Sequence, residues 1–182
     1  MEQIKWPFLK QTWGIEFESS KGAYLYTKDG RKILDAAGGA IVNNIGYGRE
    51  EVAEAISKAV INNSYILPPF LTPEREALLD ELRNHWLPPH LTRIHLSSGG
   101  SEANESAVKL AIQYQASRGK PEKNIILTRS LSYHGTTLNM SGISGHEARK
   151  RGLESYVPSP TTIETPYPLR CPLGSFHPDS KD

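Results

Sequence analysis

The amino-acid sequence predicts an α/β fold built around a parallel sheet. Two short apolar stretches, RIHL (residues 93–96) and NIILT (residues 124–128), are strand candidates, and a glycine-rich turn with a long helical segment separates them. Strand, turn, helix and strand in this order form a βαβ unit, whose two strands run parallel. A chain of 182 residues has room for one such domain, or for a domain with a smaller appendage.

Composition and charge are those of an ordinary globular protein. Hydrophobic residues make up 37% and charged residues 23%, and 21 basic residues nearly balance 20 acidic ones. A net charge of +1 supports neither nucleic-acid binding nor anionic-membrane binding. The N-terminus lacks the apolar core of a signal peptide, no apolar run approaches the roughly 20 residues of a membrane span, and Cys171 is the single cysteine. We therefore expect a cytoplasmic protein in a reducing compartment.

The first 39 residues predict an arm followed by a β-hairpin. Residues 1–14 carry three aromatic side chains among polar neighbours, which suits an arm that packs on another surface: Trp6, Phe8 and Trp13. In residues 22–39, Tyr24 and Tyr26 alternate with smaller residues, and a D-G pair (residues 29–30) is a strong two-residue turn signal. A G-G pair then interrupts the pattern.

Three helices are predicted to follow. Residues 50–62 place their apolar side chains on one stripe at helical spacing: Val52, Ala53, Ile56, Ala59 and Val60. A second helix begins at Thr72, with a proline in its first turn, and ends before Pro88. The third helix runs from the glycine-rich turn to about Ser117, and Gly119 is its C-terminal cap.

After Gly152 the character of the chain changes. Six of the 13 prolines lie between Pro158 and Pro178. Proline lacks an N–H group and has a restricted φ, so such a run disfavours a helix or a central strand. We predict a long loop, an extended arm or an irregular end there.

The stretch SSGGSEANESAVKLA has the composition of an anion site. A helix N-terminus presents unpaired N–H groups and the positive end of the helix dipole, and glycines before it let a ligand approach the backbone. Gly99, Gly100 and Ser101 are therefore candidates to hold a phosphate group. The alternative is structural: Ser101 caps the helix while Glu102 and Glu105 complement its dipole. The spacing matches neither GxxxxGK[ST] nor GxGxxG, which disfavours an NTP or dinucleotide site.

A second stretch, SYHGTT (residues 132–137), directly follows the second strand candidate. In an α/β sheet, ligands bind at the carboxyl ends of the strands, so this stretch and the anion site are expected to share one edge. Tyr133 can stack on a planar ring, and Gly135 lets the chain turn beneath it. A phosphate group attached to a flat ring indicates pyridoxal phosphate.

Together these residues resemble the class III aminotransferases, the pyridoxal-phosphate enzymes of fold type I that include many omega-amino acid transaminases. SGGSEANESAVKLA followed by SYHGTT is typical of the family, and YLYTKDGRKILDAAGGAIVNNIGYG is similar to its N-terminal segment. The resemblance covers roughly residues 14–150. It implies an incomplete three-layer large domain (residues 61–182), preceded by an arm, a hairpin and a first helix that belong to the small domain (residues 1–60).

The resemblance also assigns contacts with the cofactor, pyridoxal 5'-phosphate. Gly100 and Ser101 match the family's phosphate-binding pair. Tyr133 matches the aromatic side chain that stacks on the cofactor ring, and His134 and Gly135 complete that motif.

Four further positions matter for the resemblance. Glu102 and Asn104 match motif positions to which we assign structural roles. Tyr47 stands where the family usually has histidine, on the substrate side, and Gly99 stands where many members have serine.

For the complete enzyme, the resemblance implies amino transfer from an amine or amino acid to a keto acid. In the family, the Schiff-base lysine and the acidic partner of the pyridine nitrogen lie in later segments than the Y-H-G motif. Residues 1–182 contain no such segment, and three lysines on or after the third helix are poorly placed to substitute: Lys109, Lys120 and Lys123. We therefore expect the N-terminal portion of a transaminase that is a homodimer or higher oligomer, and we expect this portion to be inactive alone.

Other interpretations stay open at the level of sequence. The same residues suit another fold-type-I activity, such as a racemase, decarboxylase or mutase, because they hold the cofactor and not the reacting bond. A non-catalytic remnant or an interaction module is the third interpretation. No metal site is expected, because His85, His90 and His95 flank a Pro-Pro pair and do not share one helical face. The run HEARKR, which starts at His146, is expected to be a solvated helix face.

Overall fold

The computed structural model describes residues 14–167 and Leu169. The predicted aromatic arm, Cys171 and the last prolines lie outside the described residues. The chain divides into two compact units, Met1–Thr92 and Arg93–Asp182. Within the described part of the chain, no helix is both long enough and apolar enough to cross a bilayer. The predicted small-domain boundary after residue 60 stays a prediction.

The first unit contains a three-stranded antiparallel sheet. Its strands are β1 (Phe17–Lys21), β2 (Tyr24–Thr27) and β3 (Lys32–Leu34), and β2 lies in the middle. The pairing of β2 with β3 confirms the predicted hairpin. The sequence of β1, FESSK, has no alternation of apolar and polar residues, and for that reason the strand is absent from the prediction.

The hairpin turn is one residue longer than predicted. The N–H of Thr27 donates to the carbonyl of Arg31 over 3.0 Å, which leaves three residues in the loop and not two. Gly30, the last of them, has φ +84°. A three-residue hairpin loop needs a left-handed residue at this position, so the D-G pair indicates the place of the turn without determining its length.

Both predicted helices of the first unit form. After a single left-handed turn, α1 (Gly38–Ile41), come α2 (Glu50–Asn62) and α3 (Pro73–Glu81). The Thr72 hydroxyl caps α3 and accepts the N–H of Arg75 over 3.3 Å.

A π-helical turn, Leu82–Trp86, continues α3 to just before the Pro-Pro pair. The apolar stripe of α2 is exposed within this unit, since Ile56 is 59% and Val60 is 56% accessible.

The second unit begins with the longest helix, α4 (Gly100–Ser117), which confirms the third predicted helix. Gly119 follows it with φ +72° and donates its N–H to the carbonyl of Ala116 over 3.0 Å. A glycine in the left-handed conformation commonly ends a helix, as Gly119 was predicted to do for this one.

The parallel sheet of this unit has different strands from those predicted. β4 (Leu127–Arg129) pairs in parallel with β5 (Thr161–Ile163), so the second strand candidate forms in part and shifts toward its C-terminal end. Residues 93–96 form no strand, which corrects the first candidate. A strand needs a hydrogen-bonded neighbour, and residues 93–96 have none among the described residues.

The proline-rich segment contributes β5, which pairs with β4 in a two-stranded sheet and is not a central strand, in agreement with the prediction. Its three paired residues, TTI, lie between Pro160 and Pro166, and two of them are β-branched threonines. The prolines therefore fall outside the hydrogen-bonded positions, where their missing N–H does no harm.

A small core holds the turn that follows β4. α5 (Leu138–Ile143) buries Met140 completely and Ile143 to 7% exposure, and Ser144 beside it is 2% exposed. α6 (Glu147–Lys150) comes next in the chain, and Glu147 and Arg149 are exposed there, as expected for the HEARKR run. The core therefore lies directly behind the SYHGTT stretch.

Candidate cofactor site

The N-terminus of α4 is open to a ligand. Its first-turn N–H groups, which have no intrahelical acceptor, belong to Gly100, Ser101 and Glu102. A Cβ added at Gly99 or at Gly100 would meet no atom within 4 Å. The backbone at this end of the helix is therefore accessible, as an anion site requires.

Ser101 does not cap α4, so the capping role that the sequence left open for this residue is not observed. The cap position is Gly99, and the Glu102 carboxylate reaches back to accept the N–H of Ser98 over 3.0 Å. The Ser101 hydroxyl oxygen instead accepts the N–H of Thr136 over 3.0 Å. Its own proton is then available to donate to an anion.

The tyrosine turn, residues 132–137, lies directly against this helix start. Gly135 has φ +140°, and a Cβ built on it would be 2.5 Å from the Ser101 Oγ and 2.8 Å from the Ser101 Cβ. Both values are shorter than any ordinary contact, so glycine is required here for steric and conformational reasons. The two motifs therefore come together as expected, although the first predicted strand does not form.

Two side chains of α4 bind the tyrosine turn and the residues after it. The Asn104 amide donates to the carbonyl of His134 over 2.7 Å. The Glu105 carboxylate accepts the Thr137 hydroxyl over 2.6 Å and the Asn139 amide over 2.8 Å. The sequence indicated only a dipole role for Glu105, because its partners lie 32 and 34 residues further along the chain and leave no local signal.

His134 contacts the protein on three sides. Its ring Nε2 lies 3.0 Å from the Thr128 hydroxyl, and its backbone N–H donates to the Ser144 hydroxyl over 2.9 Å. With its carbonyl bonded to Asn104, His134 fixes the turn to β4, to α5 and to α4. Tyr133, by contrast, leaves 53% of its surface exposed.

Tyr47 lies in the first unit and bonds to Asp35. Its hydroxyl donates to the Asp35 carboxylate over 2.7 Å, and the N–H of Gly39 donates to the same carboxylate over 2.8 Å. These hydrogen bonds lower the pKa of Asp35, and the bond to Asp35 raises the pKa of Tyr47. Asp35 thereby holds the left-handed turn α1, in which Ala40 adopts φ +61°, a conformation that non-glycine residues seldom adopt.

We expect Glu105→Gln to destabilise the second unit at neutral pH and to do so less in acid. The hydrogen bonds from Thr137 and then Asn139 lower the pKa of Glu105 below its ordinary 4.5. A lowered pKa means that the ionised carboxylate contributes stability above the ordinary value, and that this stability is lost as the pH falls through the folded-state pKa. The expected loss at neutral pH is about 1 kcal/mol.

Thermal unfolding of both proteins between about pH 7 and pH 3 measures this difference. Glu122→Gln, at an exposed glutamate in the loop after α4, is the matched control. A melting-temperature difference for Glu105→Gln that stays constant down to the acid limit contradicts the assignment.

Known proteins that are similar to this chain are aminotransferases. The family profile Aminotransferase class-III matches residues 10–178. A probable aminotransferase of Mycobacterium tuberculosis is 35% identical over 162 residues, which are 88% of this chain and 34% of that protein. A putrescine–pyruvate aminotransferase of Pseudomonas aeruginosa is 28% identical over 81% of this chain and 33% of its own length.

Solved transaminases have the same fold over the matched region. An omega-transaminase from Thermomicrobium roseum superposes with a TM-score of 0.81 at 28% identity, over 88% of this chain and 36% of that one. An amine transaminase from an uncultivated Pseudomonas species, solved in its PLP-bound form, superposes with a TM-score of 0.85 at 25% identity, over 95% and 41% of the two chains.

The chain spans about a third of the length of the curated relatives that it matches. The family match nevertheless includes the open start of α4, the tyrosine turn and the Asp35–Tyr47 pair, because all of them lie within residues 10–178. The fold-type-I α/β prediction is confirmed by the solved neighbours. The chain belongs to the class III aminotransferase family.

Proposed function

We propose that this chain supplies the phosphate-binding and ring-stacking residues of a pyridoxal-phosphate site, in a protein that moves an amino group from an amine or amino acid to a keto acid. The observation that carries the proposal is the contact between Ser101 and Gly135, which brings the turn that carries the exposed Tyr133 against an open helix N-terminus. Family membership supports amino transfer over the racemase, decarboxylase and mutase alternatives.

The residues present fit the cofactor's two ends. A phosphate group suits the N–H groups of Gly100 and Ser101, the dipole of α4 and the Ser101 hydroxyl proton. The space around Gly99 and Gly100 admits the phosphate, since a Cβ there would meet nothing within 4 Å. A pyridine ring suits the exposed face of Tyr133.

The six residues of the proposed site have distinct tasks. Gly99, Gly100 and Ser101 bind phosphate, Tyr133 orients the ring, and Gly135 allows the close approach of the two motifs. His134 holds the turn through Thr128 and Ser144 and does not itself need to touch the cofactor. When bound, the cofactor supplies an aldehyde for the amino group and a ring that withdraws electrons. The proposal assigns no catalytic lysine to residues 1–182.

The names of two relatives support an amine donor and a keto-acid acceptor. One is the putrescine–pyruvate enzyme, and another is a hypotaurine/taurine–pyruvate aminotransferase of Paracoccus denitrificans, 36% identical over 73% of this chain.

A single cysteine suits the reducing cytoplasm, and the exposed apolar stripe of α2 suits assembly into a homodimer or higher oligomer. Cell fractionation tests the location, and sedimentation velocity tests the assembly.

Titration with pyridoxal 5'-phosphate tests the proposal through Tyr133. We expect Tyr133→Ala to weaken binding by about 0.5–1.5 kcal/mol beyond the loss of buried area, and Tyr133→Phe to be much milder, because the ring and not the hydroxyl makes the contact. The matched control is Tyr114→Ala on α4, because Tyr114 is 52% exposed, like Tyr133, and its ring lies beneath the guanidinium of Arg118.

Equal damage from Tyr133→Ala and Tyr133→Phe contradicts the stacking role. Equal weakening by Tyr114→Ala contradicts the location of the site.

A further inference from the structure

The Tyr133 ring has two protein neighbours that the proposed function does not use. The guanidinium carbon of Arg149 lies over the ring, 5.1 Å from its centroid. The His146 ring meets it edge-on, with centroids 6.3 Å apart and planes at 66°. Both distances are within the range of favourable cation–π and edge-to-face contacts.

Backbone contacts hold the segment that carries these neighbours. The N–H of Gly145 donates to the carbonyl of Ser132 over 2.8 Å. A Cβ at Gly145 would be 2.5 Å from the backbone nitrogen of Leu131, so the two chain segments are as close as glycine permits. The N–H of Arg149 in turn donates to the carbonyl of His146 over 3.0 Å. The base of the Arg149 side chain is therefore held close to the tyrosine turn.

The guanidinium of Arg149 forms no ion pair with another described residue. Its neighbour Lys150 pairs with Glu147 over 3.0 Å, whereas no carboxylate of the described residues lies within 4.0 Å of the Arg149 guanidinium. The aromatic face is then its chief partner. An arginine suits this arrangement better than a lysine, because the planar guanidinium stacks on a ring.

We propose that Arg149 is a positioning residue that fixes the plane of the Tyr133 ring, with His146 at its edge, so that the opposite face of the ring is presented to the pyridine ring of the cofactor. This inference rests on the proposed function. Arg149 lies over one face, and the 53% exposure of Tyr133 leaves surface for a second planar partner.

The first experiment examines the ring without any ligand. The chain is labelled with 3-fluorotyrosine, and the Tyr133 fluorine signal is assigned through Tyr133→Phe. Arg149→Met is expected to shift and broaden this signal, and Arg149→Lys is expected to restore it in part. Arg118→Met is the matched control, because it removes the guanidinium that lies 5.6 Å from the Tyr114 centroid and should alter the Tyr114 signal alone.

The second experiment separates ring positioning from attraction of the phosphate charge. The ring probe is 4'-deoxypyridoxine 5'-phosphate, which keeps the ring and phosphate but has no aldehyde to react with lysines. Its dissociation constant is expected to rise about two- to fivefold in Arg149→Met. Inorganic phosphate, the second probe, is expected to bind both proteins with nearly equal affinity.

The outcomes distinguish the two proposals. Failure of the wild-type chain to bind the ring probe overturns the proposed function and the cofactor part of this inference, while the fluorine signal still decides whether Arg149 holds the ring. An unchanged Tyr133 signal in Arg149→Met overturns the inference. Equal weakening of both probes also overturns it, because Arg149 would then act through its charge.

Discussion

Replacing Gly135 with alanine is expected to separate the tyrosine turn from α4 and to abolish phosphate binding. The new Cβ would lie 2.5 Å from the Ser101 Oγ and 2.9 Å from the Ser101 Cα, and the second of these is a backbone atom that cannot rotate away. Backbone strain adds on the order of 1–3 kcal/mol, because an alanine at φ +140° occupies a region that is essentially restricted to glycine.

Thermal unfolding and phosphate titration measure the two effects of Gly135→Ala. Gly119→Ala is the matched control, because Gly119 has φ +72° but a Cβ there would meet no atom within 4 Å. That variant is expected to lose only about 1 kcal/mol of stability, through backbone strain, and to bind phosphate normally. If the two variants unfold at the same temperature and bind alike, the Ser101–Gly135 contact is not what joins the motifs.

Ser101→Ala is expected to weaken pyridoxal 5'-phosphate binding by about 1.5–3 kcal/mol, which is roughly tenfold to 150-fold in the dissociation constant. The reason is the loss of a charge-assisted hydrogen bond from the hydroxyl to the phosphate. The variant also leaves the N–H of Thr136 without its acceptor, so the tyrosine turn should loosen.

Ser117→Ala at the other end of α4 is the control for Ser101→Ala, because among the described residues the Ser117 hydroxyl bonds to the carbonyl of Tyr114 alone, over 2.9 Å. Titrations of both variants with pyridoxal 5'-phosphate and with inorganic phosphate give the comparison. A Ser101→Ala protein that binds both ligands as tightly as the wild type would show that the phosphate does not lie at this helix start.

The helices were the most predictable part of this fold. Their signals act within one or two turns: the apolar spacing of α2, the Thr72 cap of α3 and the left-handed Gly119 after α4. Such signals can be read from a short stretch of sequence, even though packing supplies most of the stability of a helix. The D-G pair of the hairpin is an equally local signal. It predicted the position of the turn correctly and only the length of the loop incorrectly.

Strand pairing was less predictable, because a strand exists only with its neighbour. Residues 93–96 have suitable side chains but no partner in the described residues, whereas the three residues of β5 form a strand within a proline-rich segment because β4 lies beside them. No propensity within three residues distinguishes these two cases.

The sequence by itself determined the family, the places of α2, α3 and α4, and the two motifs, since each depends on residues that are close together in the chain. Only the tertiary structure decided that the Ser101 hydroxyl bonds to Thr136, 35 residues away, and not to its own helix. It also decided that Glu105 holds Thr137 and that Arg149 lies over Tyr133. These contacts depend on how closely two backbone segments approach, and that distance is set by packing at Gly135 and Gly145.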